Sequence, residues 1–133
     1  MQLQQAFLQA EEITVYNQGI QSSYACGEEQ YNKIVTQWSN MLAQSLTMPA
    51  FGVSLNDYTV NAMKSGVWVE FSYGRELSIH EMPFEKLLVE VKPEYKGFNV
   101  IRYLPQYGYA GRCFYLDLQG EDMSAVYNLL TSI

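Results

Sequence analysis

The feature that most constrains the fold is a change in hydrophobic period at Gly66. Before it, apolar residues between Tyr31 and Ser45 recur at steps of three and four, which indicates one face of an α-helix. After it, the period becomes two in four segments, residues 67–73, 86–91, 98–104 and 112–118. Short links join the last three segments, so we expect an antiparallel meander. A chain that combines both periods in this order is expected to adopt an α+β fold.

The segment ahead of the main helix is predicted to hold a short helix, a strand and a loop. Residues 2–10 place their apolar side chains roughly on one side, which favours a helix. Residues 12–16 are mostly β-branched and aromatic, which favours a strand. Residues 18–27 are mostly polar and are predicted to form a loop. The meander sheet is therefore expected to have four strands, or five if the first strand joins it as an edge.

Capping signals predict two central helices and one C-terminal helix. The expected ranges are residues 28–48, 54–66 and 122–131. The first ends before Pro49, because the residue before a proline avoids the α region. The second has Ser54 and Asp57 as a capping box and Gly66 as a left-handed exit. The third is expected to be capped by Asp122.

Alternation along the last three strands predicts an inner and an outer sheet face. We expect Val91 to face Phe98 in one hairpin and Tyr103 to face Cys113 in the next, which folds about Gly108. The inner face then carries the core residues Leu87, Val89, Val91, Phe98, Val100, Leu104, Phe114, Leu116 and Leu118. The outer face mixes aromatic, aliphatic and charged residues, and it is too apolar for a plain solvent surface.

The outer face is where we expect function. Trp68, Tyr103 and Tyr115 share this face and are predicted to bind a partner, because aromatic residues anchor interfaces. Glu90 lies on the same face and is predicted to bind a ligand together with Arg102. Three alternatives remain open: the two central helices cover this face, a partner binds to it, or it lines a small-molecule cleft.

Arg102 is unusual because the alternation places it on the inner face, between Leu87 and Phe114. A buried guanidinium must be paired. Three interpretations follow: an arginine at the sheet rim with its charged group in water, a pair with an internal carboxylate, or a contact to an anionic ligand.

No residue pattern in the sequence predicts catalysis, a metal or a cofactor. His80 is the single histidine and lies in a link between predicted strands, so no Ser-His-Asp arrangement can be argued. One histidine and two distant cysteines match none of the usual zinc spacings. We therefore expect no catalytic residue, no metal and no cofactor.

Charge and composition constrain the partners and the compartment. The chain has 133 residues, 14 acids, 8 bases and a net charge of −6. The bases are scattered, so neither nucleic acid nor an anionic membrane surface is an expected partner. We find no secretory signal and no apolar run of the roughly 18 residues that a membrane span needs. Cys26 and Cys113 lie far apart, which favours reduced thiols and a cytoplasmic location.

These observations favour a non-enzymatic interaction or regulatory module. Residues 1–133 are expected to form a single α+β domain that acts through its aromatic-rich sheet face, with a protein partner or as a homodimer. The alternative is a small-molecule-binding protein, or an enzyme whose cleft carries no motif, because sites assemble from distant residues. A deep cleft lined by polar groups would favour the alternative, and a flat apolar patch would favour the interaction module.

Overall fold

The computed structural model describes residues 1–49 and 52–133. Within these residues the α-helices are α1 (Leu3–Ala6), α2 (Glu29–Met41), α3 (Asn56–Ala62) and α4 (Ser124–Ser132). The strands are β1 (Glu12–Asn17), β2 (Ile20–Ala25), β3 (Leu46–Met48), β4 (Val53–Ser54), β5 (Val67–Ile79), β6 (Met82–Val91), β7 (Gly97–Tyr103), β8 (Gly111–Arg112) and β9 (Phe114–Asp117). A short 3₁₀ segment, Phe7–Gln9, follows α1 directly.

Most of the strands belong to one sheet. Seven of the described strands form an antiparallel sheet in the order β2-β1-β5-β6-β7-β9-β3, and β4 pairs separately with β8. The predicted α+β class and antiparallel sheet are confirmed. The expectation of four or five strands is wrong, because two segments predicted as loop and helix also pair with the sheet.

The first unexpected strand is β2, which was predicted as a polar loop. It forms a hairpin with β1, and its other edge is open. Gln18 and Gly19 make the turn with positive φ angles of 54° and 81°, as a tight two-residue hairpin requires. Most β2 side chains are exposed. An exposed edge strand has no need of apolar alternation, so the pattern on which the prediction relied is missing.

The second unexpected strand is β3, which was predicted as the end of the main helix. The helix ends at Met41, and the Ser45 hydroxyl donates to the Leu42 carbonyl oxygen at 2.8 Å in the turn that follows. Leu46–Met48 then pairs with β9 at the sheet edge. Pro49 still marks an end, but it is the end of a strand.

The remaining helices follow their predicted positions with corrected caps. Ser54 does not cap α3, because it lies in β4 and Leu55 occupies the N-cap position. Gly66 has the expected left-handed conformation, with φ of 75°. Asp122 was expected to cap α4, but Met123 occupies the N-cap position, and Asp122 lies one residue earlier and accepts the Ser124 backbone N–H at 3.0 Å. Among the described helices, none combines the length and the apolar character that crossing a membrane would require.

The sheet register differs from the prediction without exchanging the two faces. Leu87 pairs with Arg102 as expected between β6 and β7. Between β7 and β9 the pairing is Asn99 with Tyr115, two residues away from the predicted register. Because side chains alternate with a period of two, this shift leaves every side chain on its predicted face.

The inner face of the sheet carries the main core. All nine residues predicted for this face are buried. Trp38 of α2 is fully buried, and its ring centre lies 5.3 Å from that of Phe7, 5.0 Å from Phe71 and 5.5 Å from Phe98. Helices α1, α2 and α4 contribute apolar side chains to the same cluster. The main helix therefore packs on the inner face.

The outer face carries a second, smaller core. Met63, Trp68, Leu88 and Tyr109 are its buried members. Met63 follows α3 directly, and Tyr109 belongs to the segment between β7 and β8. Of the two central helices, therefore, only α3 covers part of the outer face. The uncovered part forms a cleft.

Candidate functional site

The cleft lies between α3 and the outer face of strands β5, β6, β7 and β9. Its volume is about 540 Å³, within the range of roughly 300–1,000 Å³ that is typical of small-molecule sites. The β4–α3 segment supplies one wall, including Leu55 and Tyr58. The sheet supplies the floor, including Trp68, Ile101 and Tyr115.

Aromatic side chains line much of the cleft. Trp68 is buried, and its indole Nε1 donates to the Ser65 carbonyl oxygen at 3.0 Å, which fixes the ring. Tyr115 lies on β9, and Tyr95 lies in the turn between β6 and β7. Tyr58 lines the mouth with 75% of its surface exposed. The cleft therefore offers aromatic surface from both the floor and the rim.

Gly97 allows the Tyr115 ring to lie against the strand next to it. A Cβ at residue 97 would overlap the Tyr115 hydroxyl and would come within 2.9 Å of the Leu116 carbonyl oxygen. Gly97 also lines the cleft. The absence of a side chain at this position is thus a condition for the observed Tyr115 orientation.

Two polar side chains of the sheet reach the cleft. Glu90 pairs with Trp68 across β5 and β6, and its Oε1 accepts a hydrogen bond from the Tyr95 hydroxyl at 3.2 Å. Asn99 pairs with Tyr115 across β7 and β9 and is exposed. The arrangement places one carboxylate and one amide between aromatic rings.

A buried carboxylate network lies next to the cleft on the same sheet face. Glu70 is only 1% exposed. Its Oε1 accepts the Tyr16 hydroxyl at 3.0 Å and lies 3.9 Å from Lys86 Nζ, while Oε2 accepts the Tyr109 hydroxyl. Burial, and then the Glu70 charge, raise the pKa of both tyrosines well above the ordinary value. Both hydroxyls therefore remain protonated donors at neutral pH.

Tyr109 connects this network to the helical wall of the cleft. Its backbone N–H donates to Asn56 Oδ1 at 2.9 Å, and its carbonyl oxygen accepts the Ser54 hydroxyl at 2.9 Å. The Ser54 and Thr59 hydroxyls are 2.7 Å apart and share a further hydrogen bond. The β4–α3 wall is therefore tied to Glu70 through one tyrosine.

Comparison with known proteins leaves the geometry as the basis for function. No protein-family model matches the chain, and no curated protein or solved structure is significantly similar to it.

The structure brings together three of the five residues that the sequence marked as a site. Trp68, Glu90 and Tyr115 line the cleft. Tyr103 lies on the same face but packs elsewhere, with its ring centre 4.9 Å from that of Tyr109 and 5.0 Å from Lys86 Nζ. Their roles in binding stay predictions.

Arg102 lies apart from the cleft, on the inner face. Its Nε donates to the Arg112 carbonyl oxygen and its Nη1 to the Pro83 carbonyl oxygen, both at 2.8 Å. Burial lowers the pKa of its guanidinium. The guanidinium thus donates to backbone carbonyl oxygens, and not to the internal carboxylate or anionic ligand that the sequence left open. These two hydrogen bonds connect β6, β7 and β8.

Sequence reasoning missed the residues that other elements bring to the cleft. Tyr95 lies in a turn, and Leu55 and Tyr58 belong to the wall, so strand alternation gives no indication of their position. Asn99 has the same parity as Tyr103 and therefore belongs to the predicted outer face, but nothing in the sequence gives it a role. Glu70 has the same parity as Trp68 and therefore shares that face, but Tyr109 reaches it from the segment between β7 and β8, which strand alternation does not describe.

The chemistry of the cleft suits binding. Cys113 lines it, but burial raises the pKa of the thiol, so the nucleophilic thiolate is disfavoured. His80 lies in the β5–β6 turn, outside the cleft lining. Among the described residues, no group of three or more histidine, cysteine or acidic side chains is placed to hold a metal ion. What the cleft offers is aromatic surface with a few polar contacts.

Proposed function

We propose that the chain is a non-enzymatic binding protein that holds a small organic molecule in the cleft between α3 and the outer sheet face. One observation carries this proposal: a cleft of about 540 Å³ has aromatic walls and two side chains, Glu90 and Asn99, available for hydrogen bonds. Ligand pockets generally combine a mainly apolar lining with a few placed polar groups. The sequence left this function open as the alternative to an interaction module.

A fragment screen by NMR on the full chain tests the proposal. Compounds that bind in the cleft should shift the indole N–H signal of Trp68, while that of Trp38 in the main core should stay in place. The two tryptophans of the chain thus supply a reporter and an internal reference.

Two exposed tyrosines provide a matched pair of variants for the same screen. Tyr58 lines the cleft mouth and is 75% exposed, whereas Tyr107 is 68% exposed and lies outside the cleft lining. Tyr58→Ala should weaken the binding of screen hits, and Tyr107→Ala should leave it unchanged. If no fragment shifts Trp68, or if both variants act alike, the cleft is not a ligand site.

A second candidate function is contact with a protein partner or a second copy of the chain. Val53, Leu55 and Tyr58 are exposed apolar or aromatic side chains at the cleft mouth, and contiguous exposed apolar surface commonly marks interaction sites. If the chain forms a dimer, its solution mass should fall on dilution. Leu55→Asp should then give a monomer at all concentrations, while Leu8→Asp, at another exposed leucine, should leave the dimer intact. If the unmodified chain is a monomer at all concentrations, the homodimer is excluded, and only a different protein could be the partner of this surface.

We also infer a reducing compartment such as the cytoplasm. Cys26 and Cys113 are both free, and Cys26 is exposed. An exposed free thiol is better suited to a reducing environment than to an oxidising one. Labelling of Cys26 by a thiol reagent in intact cells, compared with permeabilised cells, would locate the chain.

A further inference from the structure

We propose that the cleft selects a small organic cation, an ammonium group on an apolar body, over neutral or anionic molecules of the same shape. This inference rests on the proposed function and adds the chemical class of the ligand. It follows from the charges of the lining, the geometry around Glu90, and a lysine ammonium that the chain itself places beside the cleft.

Among the described residues, the cleft lining carries negative charge only. Glu90 is the one charged side chain among the described lining residues. An anionic ligand would meet this carboxylate with no cationic side chain among the described lining residues, and a neutral ligand would gain at most a hydrogen bond from it. A ligand cation would be attracted, and it would compensate a charge that is half-buried beside aromatic rings.

Glu90 has bonding capacity left for such a ligand. Within the described part of the chain, its Oε1 accepts the Tyr95 hydroxyl at 3.2 Å, and Oε2 has no hydrogen-bond donor. A carboxylate can accept several hydrogen bonds through its two oxygens. The contact with Tyr95 therefore orients the carboxylate and leaves Oε2 without a donor among the described residues, so its negative charge is available to a ligand cation.

Aromatic rings lie around this carboxylate. Trp68 pairs directly with Glu90 across β5 and β6, and Tyr95 donates to it. Tyr115 and Tyr58 line the same cleft. The faces of such rings attract cations through their quadrupole, tryptophan most strongly, and sites for quaternary ammonium ligands are built from several rings. Rings and carboxylate together favour a positive charge with an apolar surface.

The chain already places one ammonium group beside these residues. Lys92 Nζ lies 5.6 Å from the centre of the Tyr95 ring. Glu90, and then Tyr95, raise the pKa of this exposed ammonium. Lys92 itself is not among the described lining residues. It is thus an example of an ammonium over the Tyr95 ring and in the field of Glu90, and it competes with a ligand for both.

The charge of the whole chain acts in the same direction. The net charge is −6. A field of this sign raises the local concentration of cations and their rate of association. The effect is not specific, so the test must separate it from the contribution of Glu90.

The test compares choline with its neutral isostere, in which a carbon atom replaces the nitrogen. Both are titrated into the full chain at neutral pH, and the Trp68 indole N–H signal is followed with Trp38 as the reference. Choline should bind at least roughly ten-fold more tightly, which is about 1.4 kcal/mol. Equal or tighter binding of the neutral isostere would overturn the inference.

Three variants separate the local charge from the general field. Glu90→Gln should bring the choline-to-isostere ratio close to one, while Glu121→Gln, which removes an exposed charge in the turn before α4, should preserve the ratio. Lys92→Gln should tighten choline binding, because it removes the competing ammonium. An unchanged ratio in Glu90→Gln would refute the role of this carboxylate.

The outcomes also distinguish the preference for cations from the proposed binding of small molecules in general. If neutral fragments shift the Trp68 signal and choline shows no preference, the cleft binds small molecules but does not select cations. If neither choline nor any fragment of the wider screen shifts this signal, the small-molecule function fails, and the cation preference fails with it.

Discussion

Glu70→Ala is the substitution from which we expect the sharpest stability effect. Glu70 is almost fully buried and accepts hydrogen bonds from the hydroxyls of Tyr16 and Tyr109, with Lys86 Nζ 3.9 Å away. Alanine leaves both hydroxyls without their acceptor. Tyr109 is buried, so water does not readily replace the lost partner, whereas Tyr16 is half-buried and regains hydration more easily.

The magnitude follows from the fate of these hydroxyls. A buried donor that loses its partner costs about 1–3 kcal/mol. The half-exposed lysine pair adds little, at most about 1 kcal/mol. Removing the buried carboxylate also removes its own desolvation cost, which offsets part of the loss. We expect a net loss of about 2–4 kcal/mol in the free energy of unfolding.

Urea unfolding, followed by tryptophan fluorescence, measures this loss. Glu76→Ala serves as the matched control, because Glu76 is an exposed glutamate on the same strand. It should change the free energy of unfolding by less than about 0.5 kcal/mol. The triple variant Glu70→Leu, Tyr16→Phe, Tyr109→Phe should recover much of the stability, since no orphaned hydroxyl remains. A Glu70→Ala variant as stable as the control, or a triple variant less stable than Glu70→Ala, would refute the reasoning.

Three further predictions concern the core, the alkaline range and the cleft. Trp38→Ala should lower the free energy of unfolding by about 3–5 kcal/mol, because a fully buried indole is lost from an aromatic cluster; an unchanged thermal midpoint would contradict this. Burial raises the pKa of Tyr73 and Tyr109 in the folded state, so above a pH of about 10 the unfolded chain ionises first. Below that pH the free energy of unfolding should not depend on these two groups. Above it, the free energy of unfolding should fall by about 1.4 kcal/mol per pH unit for each tyrosine. The fall should be shallower when both Tyr73 and Tyr109 are replaced by phenylalanine. Gly97→Ala should displace Tyr115 and strain the adjacent Leu116 backbone, so it should weaken ligand binding, measured by chemical shifts of the cleft, and also lower stability, measured by urea unfolding. Binding that stays unchanged would show that Tyr115 is not part of the site.

Strand alternation predicted the two sheet faces because it depends on the period of two and not on the register. The β7–β9 register differs from the prediction by two residues, since residues 104–111 do not form a simple hairpin loop. Gly108 closes a small turn against Leu104, and Gly111–Arg112 then pairs with β4. This pairing joins segments more than fifty residues apart, and no local pattern contains it.

The missed elements have physical reasons of the same kind. β2 is exposed at the sheet edge, so its serines and glutamine resemble a loop. Leu46–Met48 becomes a strand because β9 has an open edge to pair with, and this long-range pairing overrides the local pattern. Strand alternation placed Glu90 and Trp68 on the outer face, whereas the position of the cleft wall depends on which helix packs on which face of the sheet. Amphipathic period alone does not decide that.

The hydrogen bonds that connect Glu70 through Tyr109 to the β4–α3 wall form a tether, and this tether couples the local opening of α3 to binding in the cleft. α3 has seven residues and few buried side chains, so it is a natural unit of local opening, while the sheet and its inner core stay folded. Each opening of α3 abolishes one side of the cleft. The apparent affinity for any occupant is then the intrinsic affinity multiplied by the closed fraction. An occupant in turn slows amide hydrogen exchange in α3, and a weakened tether speeds it. Exchange rates in this one helix therefore report, by linkage, on both the buried carboxylate and the cleft.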